Sequence, residues 1–135
     1  MVTSLDPFRP GSIFGLANME TPSAVDVLTA VAEPTRLRIL NCLAAAPLFV
    51  SDLQDVLELP QPTVSRHLTV LRKAELVRDT SVAPFVLYRL SRDAGPQSRL
   101  IRTILDSLGT EADFRSERAR ALAVSRNRGR SEAKR

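Results

Sequence analysis

Residues 51–73 read SDLQDVLELPQPTVSRHLTVLRK, and the fold of the chain can be predicted from the patterns in this segment. It predicts a short helix over about residues 52–58, a turn that contains two prolines, and a second helix over about residues 61–74. The second helix carries an apolar stripe at helical spacing, formed by Val64, Leu68 and Leu71. Two short helices joined by a tight turn, the second with a polar outer face, indicate a helix-turn-helix.

Further helices and two β-rich runs flank this unit. One helix is predicted from Ser23 and another from about Thr35, both before the helix-turn-helix. After it, residues 76–80 and 85–90 predict a hairpin, and residues 97–108 predict a last helix. The predicted fold is mainly α with a small β-hairpin, in the order α-α-α-α-β-β-α, which is a winged helix-turn-helix.

Composition and charge divide the 135 residues into three segments. Residues 1–22 hold prolines and glycines with little periodicity and predict a flexible arm, either mobile or docked on the body or a partner. Residues 23–109 are the predicted DNA-binding and dimerisation domain. Residues 110–135 carry eight basic and four acidic side chains, which accounts for the net charge of +4. They predict a basic extension, helical to about Val124 and then disordered, whose arginines either attract DNA phosphates or form a solvated end.

The composition disfavours several function classes. A single cysteine, Cys42, and a single histidine, His67, cannot form an internal disulfide or the usual zinc sites. The sequence has no run of about eighteen apolar residues, so we expect no membrane span. It also lacks a glycine-rich phosphate loop and a paired nucleophile and base, so we expect neither an enzyme nor a cofactor.

The polar face of the second helix is the candidate DNA-binding site. An α-helix fits the major groove of B-DNA, where short or forked polar side chains near its start read base edges. The predicted DNA-contacting residues are Gln61, Pro62, Thr63, Ser65, Arg66, His67, Thr69 and Arg72. Gln61 suits an adenine edge and Arg66 a guanine edge, whereas His67 either contacts a phosphate or hydrogen-bonds between helices. Arg72 also suits the negative end of the helix dipole.

Several stretches, in their order, resemble the ArsR/SmtB family of bacterial repressors. Residues 32–40, AEPTRLRIL, are similar to the family's second helix, and residues 61–68, QPTVSRHL, to its recognition helix. Residues 76–77 and 88–90 resemble its two wing strands, so the resemblance covers about residues 24–108. It implies a homodimer that binds a palindromic operator on double-stranded DNA until a signal releases it, in the bacterial cytoplasm at the nucleoid.

The resemblance also implies a dimer interface on the first and last helices. The apolar stripe of residues 97–108 is too wide to be buried by a single domain of this size. Its width therefore also favours a dimer interface on this helix. The expected interface residues are Val27, Leu28, Val31, Leu100, Ile101, Ile104, Leu105 and Leu108. The two recognition helices of such a dimer would lie about one DNA turn, about 34 Å, apart.

The chain departs from the family pattern where many relatives sense metals. Phe49 and Ser51 stand at the positions of two cysteine ligands, and the last helix offers only Asp106 for a second site. We therefore expect no metal site, and the effector stays unknown. Cys42 is expected to be a buried small hydrophobic residue, with a redox-sensing thiol as the alternative.

Two further departures concern the hairpin. Its turn, residues 81–84, carries no basic side chain, and Glu75 stands where glycine commonly ends the recognition helix. A left-handed backbone at Glu75 would cost on the order of 1 kcal/mol. The predicted function is a sequence-specific DNA-binding repressor. The alternatives are a winged-helix protein-interaction adaptor, which the weak wing and neutral body favour, and a redox-responsive repressor that uses Cys42.

Overall fold

The computed structural model describes residues 22–92 and 95–133 of the protein. Within these ranges the chain forms, in order, α1 (Ala24–Val31), α2 (Pro34–Ala45), β1 (Leu48–Phe49), α3 (Val50–Leu57), α4 (Gln61–Lys73), β2 (Val77–Val82), β3 (Phe85–Leu90), α5 (Pro96–Leu108) and α6 (Ala112–Ala133). The mainly α winged helix-turn-helix with its hairpin is confirmed. No helix within these ranges is both long and apolar enough to cross a membrane. The predicted N-terminal arm, residues 1–22, lies almost wholly outside the described residues.

The first two helices follow each other with almost no linker because each has its own cap. The Ser23 hydroxyl accepts from the Asp26 backbone N–H at 3.2 Å, and the Asp26 carboxylate accepts from the Ser23 N–H at 3.3 Å. Helix α2 is capped by Glu33, whose carboxylate accepts from the Arg36 backbone N–H at 2.8 Å. Pro34 occupies the first turn, where its missing N–H leaves no bond unmade.

The helix-turn-helix consists of α3 and α4. Helix α3 ends at Glu58, whose backbone is left-handed with φ 57°, and the Leu59 N–H then donates to the Gln54 carbonyl at 3.3 Å. Helix α4 begins directly after Pro60. Its predicted apolar stripe is confirmed, because these side chains have no exposed surface: Val64, Leu68 and Leu71. The opposite face of α4, which includes Gln61 and Arg66, is exposed to solvent.

The sheet contains one strand that the sequence pattern does not predict. The hairpin pairs β2 with β3 from Val77 opposite Leu90 to Val82 opposite Phe85, so β2 extends two residues beyond its predicted end. The two residues of β1 add to the free edge of β3, so the sheet is antiparallel in the order β1-β3-β2. A strand of two residues is too short to show the alternating pattern that identifies strands in a sequence.

Residues 112–133 of the C-terminal extension form a single helix. Helix α6 runs to Ala133, whereas the sequence predicts helical structure only to about Val124. It packs along α2 and α3 and buries Ala121 fully, with Val124 partly buried against the core. Three arginines, which look solvated in a sequence, also contact the body: Arg118, Arg120 and Arg128.

The eight expected dimer residues divide into two groups. Four of them are buried in the core of their own protomer: Val27, Val31, Ile101 and Leu105. These four face inward and retain almost no surface for a partner. Leu28 and Leu100 are exposed, by 45% and 37%, and Ile104 and Leu108 are partly buried against the core.

Candidate nucleic-acid interface

The outward face of α4 presents most of the residues predicted to contact DNA. Four of the predicted side chains are exposed to solvent: Gln61, Pro62, Arg66 and Arg72. Three more are partly buried at the edges of the same face: Thr63, Ser65 and Thr69. No carboxylate lies between residues 59 and 74, so the start of this face carries no negative side chain. This arrangement suits insertion into the major groove, where the phosphates create a negative potential.

Two side chains near the start of α4 hold each other in position. The Gln61 side-chain amide donates to the Ser65 hydroxyl at 2.7 Å, one helical turn later. Because a glutamine amide carries two N–H groups and a carbonyl, Gln61 keeps one donor and one acceptor, which is the pair that an adenine edge requires. Ser65 accepts this bond and keeps its own hydrogen for a phosphate oxygen.

Thr69 is less free to donate than the sequence pattern indicates. Its hydroxyl donates to the Ser65 backbone carbonyl at 3.0 Å. A hydroxyl carries only one hydrogen, so in this rotamer Thr69 offers an acceptor and a methyl group rather than a donor. It therefore suits contact with a thymine methyl better than contact with a phosphate.

His67 lies between helices rather than on the open face. Its ring is 14% exposed, and Nδ1 lies 3.7 Å from a carboxylate oxygen of Glu33 and 3.4 Å from the Arg36 guanidinium. Arg36 also donates to the Ala30 carbonyl at the end of α1. The sequence leaves open a phosphate contact or a hydrogen bond between helices, and this geometry favours the second. The charged groups beside the His67 ring are those of Glu33 and Arg36.

The end of α4 is linked to the wing. Arg72 lies 3.5 Å from the Asp79 carboxylate on β2, and both side chains are largely exposed. Such a surface pair contributes little to stability, so Arg72 can exchange Asp79 for a phosphate. Glu75 adopts the left-handed backbone expected of it, with φ 60°, and the Leu76 N–H donates to the Leu71 carbonyl at 3.0 Å.

The tip of the wing is apolar. Phe85 is 60% exposed, and Val82 and Val86 beside it are exposed as well. The Phe85 ring meets the Phe49 ring edge to face, with centroids 5.9 Å apart. The sequence shows that basic side chains are missing from the wing tip. It does not show that the apolar side chains there are exposed, because apolar residues in a strand are expected to be buried on one face of the sheet.

The Cys42 side chain is fully buried in the hydrophobic core. Burial, together with the nearby Glu117 carboxylate, raises the pKa of the Cys42 thiol to about 12. Oxidation requires an accessible thiolate, so burial and the raised pKa both disfavour the redox-sensing alternative. In the part of the chain that the structure describes, no three histidine, cysteine, aspartate or glutamate side chains come together as a candidate metal site.

Comparisons with known proteins agree with this geometry. The family model described as "Bacterial regulatory protein, arsR family" matches residues 33–79, which span α2 to the start of the wing. The transcriptional activator HlyU of Vibrio cholerae is 40% identical over 87 residues, 63% of this chain and 81% of that protein. The transcriptional repressor SdpR of Bacillus subtilis is 30% identical over 66 residues, 49% of this chain and 73% of that protein.

Solved structures lead to the same family. The structure of reduced HlyU from Vibrio cholerae matches with a TM-score of 0.56 and 36% identity, over 64% of this chain and 85% of that one. The transcriptional repressor BigR from Xylella fastidiosa matches with a TM-score of 0.52 and 26% identity, over 64% of this chain and 79% of that one. The chain therefore belongs to the bacterial ArsR family of DNA-binding transcriptional regulators, and it acts by binding DNA rather than as an enzyme.

Proposed function

We propose that this regulator is a repressor that binds a palindromic operator as a homodimer, in the cytoplasm at the nucleoid. The observation that carries the proposal is the orientation of α4, whose apolar side chains are fully buried while Gln61, Ser65 and Arg66 face outward. In this assignment Gln61 and Arg66 read base edges, and Ser65 and Thr63 bind a phosphate or a base. Pro62 and Thr69 make apolar contacts.

The proposed dimer uses the apolar side chains of α1 and α5 that the protomer leaves at least partly uncovered. Leu28 and Leu100 are the most exposed of these, with Ile104 and Leu108 beside them on α5. A twofold axis through this surface would present two copies of α4 to successive major grooves. A palindromic operator follows from that symmetry.

We further propose that the signal is not a metal held by cysteines or histidines. Phe49 and Ser51 occupy the positions where relatives carry thiol ligands, and neither side chain is a usual metal ligand. The single cysteine lies under α6 with a protonated thiol. The effector that releases this protein from DNA is therefore of another chemical class.

Selection from a random duplex library by the full chain tests the proposal. We expect enrichment of two inverted half-sites whose centres lie about 10 base pairs apart. Arg66→Ala should weaken binding to the selected duplex by about 1–3 kcal/mol and relax the preference at one position of each half-site. Arg102→Ala, on the exposed side of α5, is the matched control and should leave both unchanged.

Three results would contradict parts of this proposal. No enrichment above competitor DNA would remove sequence-specific binding altogether and favour the protein-interaction adaptor, for which the exposed apolar wing tip is the available surface. A single half-site, or a monomer in sedimentation, would remove the palindromic dimer. Equal losses for Arg66→Ala on selected and random duplexes would reassign Arg66 to a phosphate contact.

A further inference from the structure

We propose that the C-terminal half of α6 is a second DNA-binding element, which contacts backbone phosphates beside the major groove that α4 enters. This inference rests on the proposed function and adds to it a surface outside the helix-turn-helix and the wing. This surface lies on α6, whose sequence predicts a partly disordered end. The proposed partner of this surface is the phosphate backbone of the same operator duplex.

The contacts of α6 place its basic end between α3 and the wing. Helix α6 runs antiparallel to α3, because Arg120 donates to the Val56 carbonyl near the end of α3 whereas Arg128 pairs with Asp52 near its start. The Arg128 guanidinium also lies 4.7 Å from the centre of the Phe49 ring. Phe49 in turn contacts Phe85 of the wing. The end of α6 is therefore held against both elements.

This location is close to where DNA must pass. When the second helix of a helix-turn-helix lies in the major groove, its first helix crosses the phosphate backbone. Here the first helix is α3, and α6 ends beside its N-terminus. Five residues of α6 follow Arg128 and extend the helix by about 7 Å, roughly the span of two base pairs.

Basic side chains are absent from α3 and from the tip of the wing. Residues 50–57 of α3 and residues 79–88 of the wing contain no lysine or arginine. Residues 118–131 of α6, by contrast, contain five arginines and no carboxylate. The charge that favours phosphates therefore lies on α6, next to α3 and the tip of the wing, which carry no lysine or arginine.

Two of these arginines are available for a partner. Arg118, Arg120 and Arg128 are used in contacts with the body. Arg126 and Arg130 are exposed, and no side chain among residues 22–92 and 95–131, those whose side chains the structure describes, pairs with them. They are four positions apart and so share one face of the helix, where Gly129 leaves their side chains uncovered. This arrangement allows two phosphate contacts from one face of α6.

The test compares two double variants with the same charge change. Arg126→Gln with Arg130→Gln removes the proposed contacts, and Arg102→Gln with Arg115→Gln removes two exposed arginines elsewhere. Binding of the full chain to the selected duplex is measured over a range of salt concentrations. The slope of log K against log salt should become shallower by about 0.9 for each phosphate that is no longer neutralised, so by about two per protomer, only in the first variant. Its hydroxyl-radical footprint should also lose protection at the outer edges of the operator.

The outcomes separate this inference from the proposed function. If the wild-type chain binds no duplex, the proposed function fails first. If it binds and the Arg126 and Arg130 variant has the slope and footprint of the wild type, only the α6 contact is wrong. An equal loss of slope in both double variants would also overturn it, since that result indicates a general effect of net charge. Unchanged circular dichroism of the first variant shows that α6 still folds.

Discussion

Helices α4 and α6 are held on the same body by opposite means. Helix α4 is anchored by apolar side chains with no exposed surface: Val64, Leu68 and Leu71. In the described part of α6 the fully buried apolar side chain is Ala121, Val124 is partly buried against the core, and the remaining anchors are polar. They are the Arg38–Glu117 ion pair at 2.7 Å, the Arg118–Asn41 hydrogen bond at 3.0 Å and the Arg128–Asp52 pair.

The two helices therefore depend on different kinds of interaction. Apolar burial stabilises in proportion to the area removed from water. A buried ion pair depends on both partners, because removing one leaves the other charge buried without compensation. Helix α4 therefore presents its polar face on an apolar base, whereas α6 depends on a few ion pairs and hydrogen bonds that single substitutions can remove.

Truncating an anchor of α4 should have the largest effect on stability. Leu68→Ala removes a fully buried side chain between α4 and the core, so we expect a loss of about 3 kcal/mol in the free energy of unfolding. Urea denaturation followed by circular dichroism measures it. Thr69→Ala, on the next residue, should cost about 0.5 kcal/mol or less. A loss below about 1 kcal/mol for Leu68→Ala would mean that α4 is not anchored as described.

Removing the central anchor of α6 should cost less and act locally. Glu117→Gln keeps the shape of the side chain but leaves the Arg38 guanidinium without its charged partner, and we expect a loss of about 2 kcal/mol. Hydrogen exchange should speed up along α6 while the amides of α4 stay protected. Glu111→Gln makes the same charge change at an exposed site before α6 and should leave both unchanged. Equal loss of protection in α4 would show that the two helices are not separate units.

The burial of Cys42 beneath α6 can be tested through the pH dependence of the free energy of unfolding. Burial raises the pKa of Cys42 to about 12, whereas an unfolded thiol ionises near about 8.5. Below about pH 8.5 the Cys42 thiol is protonated in both the folded and the unfolded chain, so it does not change the free energy of unfolding. Above about pH 8.5 the unfolded thiol ionises while the folded one stays protonated, so the free energy of unfolding falls progressively. Between about pH 8 and about pH 9.5 the wild type should lose about 1 kcal/mol more than Cys42→Ala. Identical pH profiles would show that Cys42 ionises normally and would revive the redox alternative.

A glycine at the end of α4 should give the smallest effect, and a favourable one. Glu75 has φ 60°, a conformation that glycine adopts without strain. We expect Glu75→Gly to raise the free energy of unfolding by about 0.5–1 kcal/mol. Asp106→Gly, inside α5, should lower it by about 1 kcal/mol because the backbone there is helical. If Glu75→Gly instead destabilises the protein, the contacts of the Glu75 side chain stabilise the fold by more than its left-handed backbone conformation costs.

The contrast between the two helices also explains which parts of the structure could be predicted. The stripe of α4 is visible in the sequence because apolar residues at a 3.6-residue period have one common interpretation. The docking of α6 is not visible, because an arginine that pairs with a buried carboxylate looks the same in a sequence as one in water. His67 shows the same limit, since its partner Arg36 lies 31 positions earlier.

The amino-acid sequence by itself determined the order of the helices and the hairpin, the inward stripe of α4 and the strained position of Glu75. Each of these depends on periodicity or backbone preference over a few neighbouring residues. The burial of Val27 and Ile101 within their own protomer, and the packing of α6 along α3, become visible when the helices are packed together. The Arg38–Glu117 pair joins residues 79 positions apart, and contacts at that distance follow from the packing of whole helices, which no local pattern records.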